Sequence, residues 1–201
     1  TERVTGGSII QTLTIGLGGG AVASNTAIGL QALNGNTTGV RNVALGQQAN
    51  FTNSTGGDNT AIGHSALFSN TGHHNTAVGS QTLYTNTGNH NSAFGRNSLV
   101  SNSSGSQNTG IGRDALSATT TANNNTALGY QAGQANTTGA NNIFIGQGST
   151  GVSATDSNRT WIGNSSTTTT WLGGNVLINT TTDAGFKLDV NGTARLTGAL
   201  T

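Results

Sequence analysis

A five-residue phrase recurs along this chain at almost constant spacing. It reads Asn-Thr-Ala-Ile-Gly at residues 25–29, close variants begin with Asn at residues 42, 59, 75, 91, 108, 125 and 142, and a degenerate copy begins with Arg159. The closing glycines are separated by 17, 17, 16, 16, 17, 17, 17 and 17 residues. A repeat this short and regular predicts a solenoid, in which each repeat forms one coil that stacks on the previous one.

The change in repeat length falls in one corner of the coil. A second Asn lies seven residues after most of the phrase glycines and begins a turn of four residues at 36–39, but of three at 70–72 and 86–88. Asn and Gly adopt left-handed backbone conformations readily, which suits tight corners. The Asn that opens each phrase is interpreted as part of a hydrogen-bonded side-chain ladder at a corner.

Each repeat contains two short apolar stretches separated by Gly and Asn, and lacks the three- and four-residue apolar spacing of a helix. We therefore predict two short strands and two turns in each coil. The chain has no Pro, as expected for stacked strands, because Pro would remove a hydrogen-bond donor from every rung. The predicted fold class is all-β, a parallel β-roll or solenoid of about nine coils of 16–17 residues.

Stacking the coils about 4.8 Å apart aligns equivalent residues in columns. An isoleucine column is apolar throughout and consists of Ile28, Leu45, Ile62, Val78, Phe94, Ile111, Leu128, Ile145 and Ile162. A leucine column consists of Leu33, Leu67, Leu83, Leu99 and Leu116, with Asn50 interrupting it. We predict that these two columns together form a thin coil interior.

The alternate face of the first strand carries an alanine column of small residues: Ala27, Ala44, Ala61, Ala77, Ala93, Gly110 and Ala127. Small side chains let another backbone approach closely, so we interpret this column as an interchain contact. Phe144 and Trp161 continue the column with large side chains, and we place the end of the regular stack there. Coils this small have little core, and only 6% of residues are charged, so self-association is expected. The periodicity is compatible with two, three or more chains, and we favour a homotrimer.

The phrase at residues 25–29, followed by Gln31-Ala32-Leu33 and an Asn-Thr-Gly turn, resembles the head repeat of trimeric autotransporter adhesins of the YadA-like type. The usual repeat of that family is shorter, and the difference falls mainly in the turn corner. The resemblance covers residues 25 to about 163. It implies a left-handed parallel β-roll in which three chains pack around a common axis.

Two flanking segments resemble parts of viral fibres. Residues 13–20 are similar to segments that introduce such repeats in tail fibres of marine bacteriophages. Residues 176–181 and 186–194 resemble the region that precedes an endosialidase-type intramolecular chaperone, which drives trimer assembly in such fibres and is then cleaved off. We divide the chain into an N-terminal lead-in at 1–24, a β-roll repeat domain at 25–163 and a β-rich neck at 164–201.

The side chains available for chemistry argue against an enzyme. The chain has no Cys and six carboxylates, and Asp58, Asp114 and Asp156 occupy different repeat positions, with no close pair for acid–base hydrolysis of a sugar. Residues 16–21 superficially match a dinucleotide fingerprint, but neither a helical pattern nor a suitably spaced acidic residue follows. We expect no catalytic residue and no cofactor.

Metal, nucleic-acid and membrane sites are not expected either. His64, His73, His74 and His90 lie in two adjacent repeats and could in principle bind a metal, but their spacing follows the repeat and is typical of surface residues. Seven scattered basic residues and a net charge of +1 predict no nucleic-acid partner. The apolar runs are far too short for membrane insertion.

Two further columns have more than one interpretation. Phe51, Phe68 and Tyr84 could stack on sugars of a bacterial envelope as a surface contact, although packing between chains or under a turn is the interpretation we favour. A threonine column raises the possibility of ice binding and consists of Thr26, Thr60, Thr76, Thr109 and Thr126, with Val43, Ser92 and Ile143 interrupting it. Because Thr26 shares a face with Ile28, we predict an interior or interchain position for this column.

These features predict a structural and adhesive segment of a viral tail fibre. It would be a trimeric shaft or head in the extracellular virion tail that mediates attachment to the bacterial host. The expected partners are further copies of the chain, other virion tail proteins, and a glycan or protein on the host surface. The alternatives are the head of a bacterial trimeric adhesin on the cell surface, and an ice-binding solenoid.

Overall fold

The computed structural model describes residues 15–151 and 153–167, which form a parallel β-solenoid of about eight turns. Its strands are Ile15–Gly16 (β1), Thr26–Ile28 (β2), Val43–Leu45 (β3), Thr60–Ile62 (β4), Ser69–Asn70 (β5), Thr76–Val78 (β6), Thr85–Asn86 (β7), Ser92–Phe94 (β8), Thr109–Ile111 (β9), Thr126–Leu128 (β10), Ile143–Ile145 (β11) and Thr160–Ile162 (β12). A short 3-10 turn at Gly19–Ala21 separates β1 from β2. The predicted neck lies almost entirely outside the described residues.

One long sheet runs the length of the solenoid. Its strand order is β1-β2-β3-β4-β6-β8-β9-β10-β11-β12, and every neighbouring pair is parallel except β1 with β2. Each phrase residue pairs with its repeat equivalent, as Ala27 does with Ala44. The antiparallel β1 pairs with β2 and thereby covers a sheet edge that would otherwise be open to further strands.

The structure reverses the predicted interior and exterior of the first strand. In each three-residue strand from β2 to β11 the middle side chain is buried, so the alanine column points into the coil of its own chain. The isoleucine and threonine columns point outwards on the opposite face of the sheet. This corrects the placement on which the interchain interpretation of the alanine column rested, because these residues present no side chain to a partner.

The volume of the coil interior explains the reversal. The leucine column is completely buried, as predicted, and its side chains leave room for little more than a methyl group on the facing strand. Phe144 shows that the volume of the interior is limited, because its large side chain is buried only where Gly133 replaces a leucine. A Cβ atom on Gly133 would lie 2.8 Å from Phe144 Cδ2. The enlargement at Phe144, predicted to mark a change of packing partner, is therefore compensated within the same chain.

Among the described coils, the expected second strand forms in only two. It forms as β5 and β7, next to the two three-residue turns. On the leucine side of every described coil that has a leucine, the backbone at that leucine is left-handed, with φ near 50° at Leu33 and also at Leu67, two residues before β5. A bulky side chain in this region costs about 1–2 kcal/mol, which burial of the leucine, at about 1.5–3 kcal/mol, offsets. Hydrogen bonds still join the coils here, as from Leu33 N–H to Ala49 O at 3.0 Å.

Asn50 is the weak point of the leucine column. Its side chain is fully buried, and neither its amide nitrogen nor its oxygen has a hydrogen-bond partner. Its backbone has φ of 50°, as in Leu67, so a leucine fits the same conformation. We expect Asn50→Leu to stabilise the fold by about 2 kcal/mol, because it removes an unpaired buried amide and adds apolar burial.

Denaturant unfolding of the purified variant measures this effect. The control is Asn34→Leu, since Asn34 is exposed on the same side of the coil and its substitution should change stability by less than about 0.5 kcal/mol. If Asn50→Leu were less stable than the wild-type chain, the expectation that the unpaired buried amide of Asn50 destabilises the fold would be wrong.

Candidate functional site

The most distinctive surface of this protein is the outer face of its long sheet. This outer face consists of the isoleucine column and the threonine column, which continues to Thr160 on the last strand. In the described part of the chain neither column contains a charged residue. Six side chains of the isoleucine column are 38–50% exposed: Leu45, Phe94, Ile111, Leu128, Ile145 and Ile162.

A continuous apolar stripe of this kind is unusual on a soluble monomer. Single exposed apolar residues are common, whereas contiguous apolar patches mark interaction surfaces. Here the stripe is repeated on each strand of the long sheet from β2 to β12, at the rung spacing of about 4.8 Å. The outer face is therefore the candidate functional site. The sequence did not predict it, because the isoleucine column was expected inside the coil.

A mixed column of apolar, polar and aromatic residues borders the outer face beyond the isoleucine column. Leu30 is 55% exposed and Tyr130 is 38% exposed in this flank. Arg113 donates from Nε to Asp114 Oδ2 at 2.9 Å and from Nη2 to the Tyr130 hydroxyl at 2.8 Å. Its guanidinium carbon lies 4.7 Å from the centre of the Tyr130 ring. The guanidinium of Arg113 thus interacts with Asp114 and Tyr130 beside the apolar stripe.

The opposite flank, beside the threonine column, contains an ion pair between adjacent coils. Arg41 Nε and Nη2 donate to the two carboxylate oxygens of Asp58 at 2.5 and 2.7 Å. These hydrogen bonds hold the pKa of Asp58 below its ordinary value and raise the pKa of Arg41. Because solvent reaches both side chains, the pair adds little to stability. It gives this flank a polar border.

Two ladders of buried asparagines hold the coils at their spacing. The phrase asparagines bond along the stack: Asn59 Oδ1 accepts from Asn75 N–H at 2.9 Å, and Asn59 Nδ2 donates to Gly72 O at 2.9 Å. The turn asparagines close their own corners, as Asn53 Nδ2 does to Gly56 O at 2.7 Å. The predicted asparagine ladder is confirmed, and its amides serve the backbone rather than a ligand.

The histidines do not converge on a metal position. The rings of His74 and His90 are stacked, with centroids 4.8 Å apart and an angle of 4° between their planes. Their nitrogen lone pairs lie in these parallel planes, so both cannot point at one ion with bonds of about 2 Å. His73 Nδ1 instead accepts from Gly57 N–H at 3.0 Å. Among residues 15–151 and 153–167, no group of three or more acidic or histidine side chains could hold a metal.

The aromatic column on the leucine side is also used within the chain. Phe51, Phe68 and Tyr84 are half-buried, and their rings stack with centroids 5.1 and 4.8 Å apart. Sugars bind to the open face of an aromatic ring, and in this stack both faces of Phe68 are covered by its neighbours. The geometry favours the packing interpretation of this column over a surface contact with sugars.

Two open clefts lie at the ends of the described solenoid. One, of about 460 Å³, is lined by Leu17, Leu30 and Gln31 near β1, and the other, of about 390 Å³, by Trp161 and Asn164 near β12. Trp161 stacks on Phe144 at 4.9 Å, so the large residues at the end of the alanine column pack on each other. No helix among the described residues has the length and hydropathy of a membrane span.

The fold and its surface define the protein as a parallel β-solenoid repeat protein with an uncharged, apolar outer sheet face. Comparison with known protein families, with curated proteins and with solved structures found no match. The function must therefore be argued from the outer face and the repeat.

Proposed function

We propose that this chain is a structural and adhesive segment of a viral tail fibre, a homotrimer whose copies pack through their outer faces. The observation that supports the proposal is the uncharged apolar stripe along every strand of the long sheet. Burying such a stripe removes apolar area from water at about 25 cal/mol per Å². It also supplies the core that a coil of this size lacks.

The period of the outer face favours a second copy as its partner. A partner surface must match apolar side chains at each rung, about 4.8 Å apart, over the whole stack. A second copy of this chain has the same repeat and therefore the same spacing of apolar side chains, whereas the surface of an unrelated globular protein does not. The number of three chains and a left-handed coil come from the resemblance to YadA-like adhesin heads.

The function follows from the proposed assembly. Nine strands at this spacing give a rod of roughly 40 Å, and three copies of a weak surface contact gain avidity for a host surface. In the virion tail, the protein assembles with other tail proteins and binds a glycan or protein on the host surface. It performs no catalysis. A bacterial trimeric adhesin head would use the same assembly on a cell surface.

Light scattering of the purified chain tests the assembly. The chain mass is 20.0 kDa, so a trimer has a mass of about 60 kDa. We expect Ile111→Glu to yield a folded species with the mass of one chain, because the variant places an unpaired charge in the buried interface.

The matched control is Thr121→Glu, which adds the same charge at an exposed turn position away from the outer face and should leave the trimer intact. Far-UV circular dichroism of both variants checks that the coil itself is folded. A wild-type chain that remains a folded monomer at all concentrations would contradict the proposed assembly.

Ice binding is a second candidate because the threonine column lies on the outside of the coil, which contradicts an interior position for it but is compatible with the predicted interchain position. Regularly spaced threonines next to aliphatic side chains are exposed or half-buried on the outer face. Both functions need this same face, so only one of them can use it. Thermal hysteresis of the purified protein separates them: a trimer should give none, and hysteresis from a monomer would favour the ice-binding solenoid.

A further inference from the structure

A periodic interface can slip by one rung. On the outer face most strands present nearly the same pair of side chains, a threonine and an aliphatic residue. Sliding one copy by about 4.8 Å would match most contacts equally well. If copies associate through this face, as proposed above, something must fix the rung at which they meet.

One strand of the outer face differs from all the others. Strand β8 carries the smallest side chain of the threonine column, Ser92, and the largest of the isoleucine column, Phe94. Phe94 is 41% exposed, and no other outer-face residue from β2 to β12 is aromatic. A bulky side chain fits a close face-to-face contact only where the facing surface leaves space.

We propose that Phe94, together with Ser92, sets the register in which copies of this chain pack, each rung against the same rung. In register, Phe94 of one copy meets the rung at which Ser92 leaves space. After a slip of one rung it meets Thr76 or Thr109, whose additional methyl group fills that space. Overpacking of this kind is destabilising, which separates otherwise equivalent registers.

An antiparallel arrangement also brings β8 opposite β8. Strands β3 and β11 are apolar in both outer columns, and they lie three rungs on either side of β8. An antiparallel pair would therefore place Leu45 opposite Ile145, whereas the parallel trimer keeps them far apart. A test of the register must include this combination.

Disulfide trapping tests the register, since the chain contains no Cys of its own. Two single-cysteine variants are refolded together, one of them carrying a mass tag, and mixed disulfide dimers are measured after oxidation. The same-rung pair is Thr109→Cys with Ile111→Cys. The neighbouring-rung pair is Thr126→Cys with Ile111→Cys, and the antiparallel pair is Leu45→Cys with Ile145→Cys.

We expect the same-rung pair to give several-fold more mixed dimer than the other two, because disulfide formation requires closely approaching Cα atoms and an offset of one rung moves them about 4.8 Å further apart along the stack. In a Phe94→Leu background the trimer mass should persist, while the neighbouring-rung pair rises to a yield comparable with the same-rung pair. The control variant is Ile62→Leu, which changes an apolar side chain to leucine on another rung. It should leave the ratio of same-rung to neighbouring-rung dimer unchanged.

Two results would overturn the proposal. One is a dominant antiparallel or neighbouring-rung product in the presence of Phe94. The other is a same-rung preference that Phe94→Leu does not weaken. Both can occur in a protein that light scattering shows to be trimeric, so they are distinguishable from failure of the assembly itself, which would appear as a monomeric wild-type chain.

Discussion

Gly63→Ala should destabilise the solenoid by about 3 kcal/mol or more, the largest effect we expect from adding a single methyl group. Gly63 closes the third phrase with φ of +130°, a conformation that L-residues with a side chain rarely adopt. A Cβ atom there would lie 2.5 Å from Gly79 O on the next coil. The coil must therefore shift away from its neighbour, which breaks the stacking on which the fold depends.

The test is denaturant unfolding of Gly63→Ala beside Gly16→Ala. Gly16 lacks a positive φ, and a Cβ atom on it would come no closer than 4.0 Å to other atoms, so the control should change stability by less than about 0.5 kcal/mol. Equal effects of the two substitutions would show that the phrase glycines are not required by the backbone.

Asn59→Ala should cost about 3 kcal/mol, the second large effect. The Asn59 side chain is completely buried and makes three hydrogen bonds, including one that it accepts from Asn75 N–H at 2.9 Å. Alanine leaves that N–H without a partner in the interior and removes the two hydrogen bonds that Asn59 Nδ2 donates, to Asn42 Oδ1 and to Gly72 O. Gly72 O keeps the hydrogen bond from Asn70 Nδ2 at 3.1 Å. Each unpaired buried polar group costs about 1–3 kcal/mol, and the loss falls on the joint between two coils.

Asn123→Ala provides the matched control. Asn123 Oδ1 accepts from Ser106 N–H on the adjacent coil at 2.7 Å, the same kind of hydrogen bond, but Asn123 is exposed. Water replaces the lost hydrogen bond there, so stability should change by less than about 0.5 kcal/mol. If Asn59→Ala were equally mild, the buried ladder would not be what holds the coils together.

The periodicity predicted the coil and its corners well. The phrase placed every strand of the long sheet from β2 to β12, and the leucine column proved to be the buried side of the coil. The second strand was predicted in every coil but forms in only two of the described ones, where it lies next to the three-residue turns. The leucine backbone does not explain this difference, because φ is near 50° at Leu67, beside β5, as well as at Leu33. The length of the neighbouring turn is what distinguishes the two coils.

The candidate site was missed because both faces of the short strands looked suitable for burial. Alanine and isoleucine alternate on them, and hydrophobicity alone favours the isoleucine as the core residue. One signal could have found the answer. Asn25 was expected at a hydrogen-bonded corner, and side chains two residues apart share a face, so Ala27 lies inside with Asn25 while Thr26 and Ile28 lie outside.

The sequence by itself determined the length of each coil, the order and register of the coils, and the corner that absorbs the missing residue. These properties depend on the regular spacing of the phrases along the chain, which the amino-acid sequence shows directly. Only the tertiary structure decided which face of each strand points inwards. That choice depends on volume: the leucine side chains nearly fill the narrow coil, so the facing strand turns its methyl groups in and leaves its larger apolar side chains at the surface.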